Sequence, residues 1–191
     1  MNHLPFALHF MSHSPDNQSS SAALGSALTQ SGESLLELSR SSRLLIVFLR
    51  HGGCPFCRET LAQLADCREE VEATGVRLAL VHMMPDEEAH RLFTKYGLAD
   101  VARISDPEQK LHGALSLNKG SALDVMGPKV WWAGFKSVLI GGHRFGRPSG
   151  DVFQLGGAFL VHNGEILAAH RSKTSFEQPE FIALAKGEWG P

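Results

Sequence analysis

Leu44-Leu45-Ile46-Val47-Phe48-Leu49 is an unbroken apolar run, the pattern of a strand covered on both faces in a parallel sheet. After Gly52-Gly53 the period changes. Leu61, Leu64, Cys67 and Val71 recur at three- or four-residue spacing while Glu59, Arg68, Glu69 and Glu72 face elsewhere, which predicts a helix from about Cys54 to Thr74. Gly75 ends it. Val76 to Val81 reads as a second buried strand, stopped by Pro85, and Asp86 is expected to cap a helix running to about Tyr96-Gly97. Val101 to Ile104 is a short third strand, and Asp106-Pro107 opens a helix toward Leu115. Residues 118–150 lack a clear period; they hold seven glycines and an apolar stretch from Val130 to Ile140. Order returns at Gly157 to Val161 and Ile166 to Ala169, two apolar runs joined through Asn163-Gly164, a strong hairpin signal. A last helix is predicted from about Glu177 to Ala185.

Strand–helix units in alternation followed by a hairpin predict an α/β domain: a central mixed sheet with helices on both faces and an insertion before the C-terminal hairpin. That is the element order of a thioredoxin-like fold. The domain is expected to span residues 34–191, with Leu35, Leu36 and Leu38 forming a short turn or strand at its entrance. Residues 1–42 hold 11 of the 18 serines, and Asn17-Gln18-Ser19-Ser20-Ser21 offers no apolar period. Residues 1–33 are therefore expected to form a Ser-rich mobile arm. The alternation of Leu4, Phe6, Leu8 and Phe10 leaves open an extended arm lying on the domain or on a second subunit.

Composition narrows the function classes. A chain of 191 residues, 43% hydrophobic, can build one well-filled core. A formal charge of −2 lacks the basic excess of a nucleic-acid binder. The longest apolar run is strand-sized, well short of the ~20 residues that span a bilayer, and no Lys or Arg precedes Arg40. A cytoplasmic location without membrane association is expected. Three cysteines are too few for a secreted disulfide framework.

Two of those cysteines carry the chemistry. Cys54-Pro55-Phe56-Cys57 stands where the first strand hands over to the first long helix. On one helical turn their α-carbons lie about 5 Å apart, suited to a disulfide. Cys54 falls at the helix start, where unpaired N–H groups and the macrodipole favour a thiolate. Arg50, His51 and Arg58 are close enough in sequence to add positive potential, and His51 could move a proton to or from Cys54. Cys54 is expected to be the more exposed sulfur and Cys57 the deeper one, placed to attack an adduct on Cys54. Cys67 lies ten residues past Cys57, ~15 Å along the same helix, so it completes neither a disulfide nor a zinc tetrahedron with the pair; it reads as a buried small hydrophobe. The competing reading is a binding module whose cysteines are structural or hold a metal. Trp131, Trp132 and Phe135 read as core or as a lid over the site.

The stretch from Phe48 to Arg58, with Arg50-His51-Gly52-Gly53-Cys54-Pro55-Phe56-Cys57 at its centre, resembles the peroxiredoxin-like proteins of the alkyl hydroperoxide reductase/thiol-specific antioxidant superfamily, in the branch related to selenoprotein L. Gly150-Asp151-Val152-Phe153-Gln154-Leu155-Gly156-Gly157 extends the resemblance. It implies a thioredoxin-like fold and thiol redox chemistry, in which Cys54 attacks a peroxide or disulfide and Cys57 resolves it. No flavin or nicotinamide motif is visible, so no cofactor or metal is expected and the electrons are expected from thioredoxin, glutathione or a similar thiol; a homodimer stays open. Val47 and His51 stand where peroxiredoxins place the proline and threonine before the cysteine. The late-strand arginine of that family has no counterpart unless Arg144 or Arg147 folds back, so slow reaction with hydrogen peroxide is expected.

Overall fold

The computed structural model describes residues 15–51, 53–121, 124–125, 127–128, 130, 132 and 150–188. Its first long element is not the hydrophobic strand but a helix, α1 (Pro15–Ser26), followed by α2 (Leu35–Ser41). Then come β1 (Arg43–Phe48), α3 (Pro55–Ala73), β2 (Val76–His82), α4 (Asp86–Lys95), β3 (Ala102–Ser105), α5 (Lys110–Ala114), β4 (Gly157–His162), β5 (Glu165–Arg171) and α6 (Phe181–Lys186).

The sheet order is β3-β2-β1-β4-β5. The first three strands run parallel, with Leu45 beside Leu78 and Val81 beside Ile104. β4 runs antiparallel to β1 and β5 antiparallel to β4. Asn163 and Gly164, both at positive φ, make the hairpin turn. The apolar run of β1 is read from both sides, as a doubly covered strand must be. Leu45, Val47 and Leu49 pack with Leu61 and Leu64 of α3, Phe93 of α4 and Leu184 of α6. Leu44, Ile46 and Phe48 pack with Leu24 of α1, Leu38 of α2 and Leu111 of α5.

Three expectations are corrected. The arm expected to be mobile over 1–33 is in part a packed helix: Leu24 of α1 is fully buried, and Ser21 lies against the Gly164 turn. Serine has middling helix propensity, so this helix owes its order to tertiary contact rather than to its own pattern. Leu35, Leu36 and Leu38 belong to a helix, started by a capping box in which the Ser34 hydroxyl accepts the Glu37 N–H and the Glu37 carboxylate accepts the Ser34 N–H. Asp86 is the first residue of α4 and not its cap; its carboxylate binds Arg103 instead.

Asp106 is the polar keystone of the α5 face. Its carboxylate accepts the N–H groups of Lys110, Leu111 and His112 and lies 2.8 Å from His112 Nδ1. Asp106→Ala would leave those amides and the fully buried His112 ring without an acceptor. A loss of about 2–4 kcal/mol of stability is expected, measurable by urea unfolding.

No helix among the described residues is long and apolar enough to cross a membrane. Most of residues 118–150, including Trp131, Phe135, Arg144 and Arg147, lies outside the described residues; Trp132 is exposed.

Candidate active site

Cys54 occupies the N-cap of α3 in extended backbone, with Pro55 at the first helical position. Pro lacks the N–H that a first-turn position leaves unused, and its fixed φ suits the helix start. The Cys54 N–H donates to the carbonyl of His51, which folds the 51–54 segment into a tight entry turn. Neither Cys54 nor Cys57 is in a disulfide, and both are buried, at 3% and 4% exposed. Cys54 is therefore not the more accessible sulfur. Burial does not separate the two, so what does is chemical state.

That state is set by the two sulfurs acting on each other, with Arg50 beside them. The Arg50 guanidinium is buried and fully engaged: Nη1 donates to Cys54 Sγ at 3.4 Å, Nε to the Gln154 carbonyl at 2.8 Å and Nη2 to the Val152 carbonyl at 2.6 Å. Its own backbone N–H donates to Cys57 Sγ at 3.2 Å. The Cys54 pKa falls to about 6, chiefly because the Cys57 thiol hydrogen-bonds to it; the Arg50 charge and the helix-start N–H groups of Cys57 and Phe56 add to this, against burial. The Cys57 pKa is pushed well above the usual thiol value, because its proton serves Cys54 and because it is buried. The two shifts favour a thiolate on Cys54 beside a thiol on Cys57.

The carbonyls that hold Arg50 are themselves pinned. Gln154 is buried, and its Nε2 donates to the carbonyls of Leu117, Asn118 and Leu155. At Gly156 a Cβ would sit 2.7 Å from the Phe48 carbonyl, so only glycine lets this segment lie against the end of β1. Arg50 thereby joins the two stretches on which the family resemblance rests. Sequence reading treated Arg50 only as nearby charge and did not single out Gln154; Arg144 and Arg147, on which the late-strand arginine depended, lie outside the described residues, and the arginine at the Cys54 sulfur is Arg50.

The remaining candidates meet this pair through backbone groups and not through their side chains: the His51 carbonyl accepts the Cys54 N–H, and the Arg58 N–H donates to the Cys54 carbonyl. His51 is buried, and desolvation first, then the Arg50 charge, lowers its pKa to about 4. Its ring is neutral at neutral pH and adds no positive potential, and Nδ1 has no hydrogen-bond partner. Arg58 is half-buried, and its charge acts on Tyr96; the hydrogen bonds to Cys54 come from Arg50 and Cys57. Cys67 is half-buried rather than buried, its Sγ 3.8 Å from the Leu64 carbonyl, with burial raising its pKa. Among the described residues no group of three or more His, Cys, Asp or Glu side chains could hold a metal.

Comparison with known proteins gives this geometry a context. A profile of the family described as AhpC/TSA antioxidant enzyme matches residues 63–174, a span that begins after both cysteines of the motif. The prostamide/prostaglandin F synthase of Salmo salar is 30% identical over 140 residues, covering 70% of this chain and 68% of that protein. Peroxiredoxin-like 2A of Homo sapiens is 26% identical over 150 residues, covering 78% of this chain and 63% of that protein. Among solved structures, peroxiredoxin Q of Xanthomonas campestris superposes with a TM-score of 0.57 at 16% identity, over 87% of this chain and 89% of that one. Peroxidoxin BcpB of Mycobacterium tuberculosis gives 0.54 at 13%, over 84% and 85%. At such identities these structures establish the fold, which is peroxiredoxin-like.

Proposed function

The chain belongs to the AhpC/TSA antioxidant enzyme family, and from that premise we propose that it is a thiol-dependent oxidoreductase that reduces a peroxide through Cys54 and Cys57. The observation that carries the reading is the Cys54 sulfur held between the Arg50 guanidinium and the Cys57 thiol. The Cys54 thiolate attacks the terminal oxygen of ROOH. The O–O bond breaks, RO⁻ leaves and takes a proton, and Cys54 becomes a sulfenic acid. Cys57 sulfur then attacks Cys54 sulfur, the S–O bond breaks, water departs and the disulfide closes. Two external thiol equivalents, from thioredoxin, glutathione or a similar donor, restore the pair. Arg50 stabilises the thiolate and the negative charge that develops on the leaving oxygen. The pair would also exchange with a disulfide by the same two steps, with Cys54 first forming a mixed disulfide.

The test is oxidation of the reduced protein by one equivalent of hydrogen peroxide, an organic hydroperoxide or a model disulfide, followed by peptide mapping. A Cys54–Cys57 disulfide with Cys67 still open to alkylation is the expected result, and the ranking of the three rates names the oxidant class. A disulfide that includes Cys67, or three thiols unchanged by every oxidant, would overturn the reading.

A further inference from the structure

The serine tract of α1 adds little to the core, where Leu24 is the fully buried apolar side chain among those described for that helix. Ser19 and Ser20 instead line a cavity of about 240 Å³, bounded also by Gly113 to Ser116 at the end of α5 and by Ile166 and Arg171 of β5. It lies on the face of the sheet that α1 and α5 cover, away from the face that packs Cys54 and Cys57. Arg171 is fixed there from two sides. Its guanidinium lies over the Phe159 ring, 5.0 Å from the ring centre, and Nε donates to the Leu115 carbonyl at 3.2 Å. Nη1 and Nη2 have no hydrogen-bond or ion-pair partner among the described residues, and no Asp or Glu stands on the cavity wall among them. Ser20 is 4% exposed, while Ser19 and Ser116 are exposed. Ser116 holds φ at 55, a conformation that glycine adopts without strain; serine puts a hydroxyl on the wall there.

We propose that this cavity binds a small oxyanion, a phosphate or a carboxylate, between the Arg171 terminal nitrogens and the serine hydroxyls. The redox steps at Cys54 and Cys57 make no use of it, so the proposal stands independently of the proposed function. The parallel N–H donors of a guanidinium match two oxygens of a carboxylate or phosphate, a fit that a single ammonium lacks. The Phe159 ring and the Leu115 carbonyl already order the Arg171 side chain, so little freedom is left for it to lose on binding. An incoming negative charge meets that cation with no carboxylate on the wall to oppose it. The hydroxyls supply neutral donors for the remaining oxygens. Size narrows the ligand further. At about 240 Å³ the cavity falls below the ~300–1,000 Å³ of sites that take drug-sized ligands, which leaves a free anion or a short acid.

The experiment titrates the full chain with sodium phosphate in one arm and sodium acetate in the other, at neutral pH and an ionic strength held constant with chloride. Calorimetry gives the affinity, and backbone amide shifts give the place. Saturable binding of one anion per chain is expected, with shifts at residues 19–20, 113–116 and 171; the arm that binds more tightly names the oxyanion. Arg171→Gln is expected to weaken binding about 10- to 100-fold, the usual loss for a hydrogen bond to a charged group. Ser116→Gly removes a hydroxyl where φ suits glycine, so it keeps the fold and should weaken binding about 5-fold. Arg77→Gln removes an exposed arginine of β2 that is not on the cavity wall, and should leave the affinity unchanged. Binding in neither arm above the chloride background would overturn the proposal. So would binding that survives Arg171→Gln undiminished, or that Arg77→Gln weakens as much. Should Arg171→Gln lose its fold, an unchanged affinity in Ser116→Gly overturns the proposal by itself.

Discussion

Arg50→Met is expected to slow oxidation of Cys54 by hydrogen peroxide about 10²-fold at neutral pH, the usual cost of removing a donor aimed at developing negative charge. The same change should raise the Cys54 pKa above its value of about 6. The two effects share one cause. The guanidinium is the cation in contact with the Cys54 sulfur, and without it the buried thiolate loses its countercharge while burial goes on opposing ionisation. The Cys57 thiol, which is the largest cause of the low pKa, remains, so the titration moves only part of the way to an ordinary thiol. The sign is readable from pH. In the parent protein, thiolate absorbance and iodoacetamide reactivity are expected to rise as pH passes through about 6 and to level off near neutrality; in the variant they should still be climbing there. Arg50→Lys keeps a charge but cannot span the sulfur and two carbonyls with one ammonium, and should fall between. The methionine variant also leaves the carbonyls of Val152 and Gln154 unpaired, at about 1–3 kcal/mol each. Circular dichroism and urea unfolding separate that loss from the chemistry. A titration midpoint still near 6 with an unchanged rate would make Arg50 a purely structural residue.

Arg50 also shows where sequence reading stops. Its position four residues before Cys54 is written in the chain, but the direction of its side chain is not. That direction is fixed by carbonyls 102 and 104 residues further on, held in turn by Gln154 against Leu117 and Asn118. Local signals fared better. The run from Leu44 to Leu49, the Cys54 helix and the Asn163-Gly164 hairpin were legible because each is set by neighbours in sequence: doubly covered strand, N-terminal proline, turn with positive φ. The capping box at α2 was equally local, since Ser34 and Glu37 spell its pattern, but three leucines in four positions do not display a helical stripe and hid it. α1 was not legible at all, because among its described side chains Leu24 is the fully buried apolar one and what orders the helix is the surface it meets. The equal burial of Cys54 and Cys57 was likewise out of reach, since a position at a helix start says nothing about what packs around it.

Because burial does not distinguish the two cysteines, their roles rest on charge, and single substitutions should divide them cleanly. Cys57→Ser is expected to react once with peroxide and stop, accumulating a sulfenic acid on Cys54 that dimedone labels, or a mixed disulfide when the oxidant is a disulfide. Cys54→Ser should form neither, because the remaining Cys57 thiol is buried and burial opposes its ionisation. Cys67→Ser should cycle at nearly the parent rate, since Cys67 is half-buried on the far part of α3 and its sulfur faces the Leu64 carbonyl of its own helix. A finer comparison tests the hydrogen bond itself. Serine at position 57 can still donate a proton toward Cys54, whereas alanine cannot, and the Cys57 hydrogen bond is the largest cause of the lowered Cys54 pKa. Cys57→Ala should therefore raise the Cys54 pKa more than Cys57→Ser does, and slow the single turnover at slightly acidic pH more than at alkaline pH, where both variants are ionised. Thiolate absorbance against pH gives the first quantity and dimedone labelling rates the second. Labelling that persisted in Cys54→Ser and vanished in Cys57→Ser would exchange the two roles and make the Arg50 contact to Cys54 a resting-state feature of the resolving thiol.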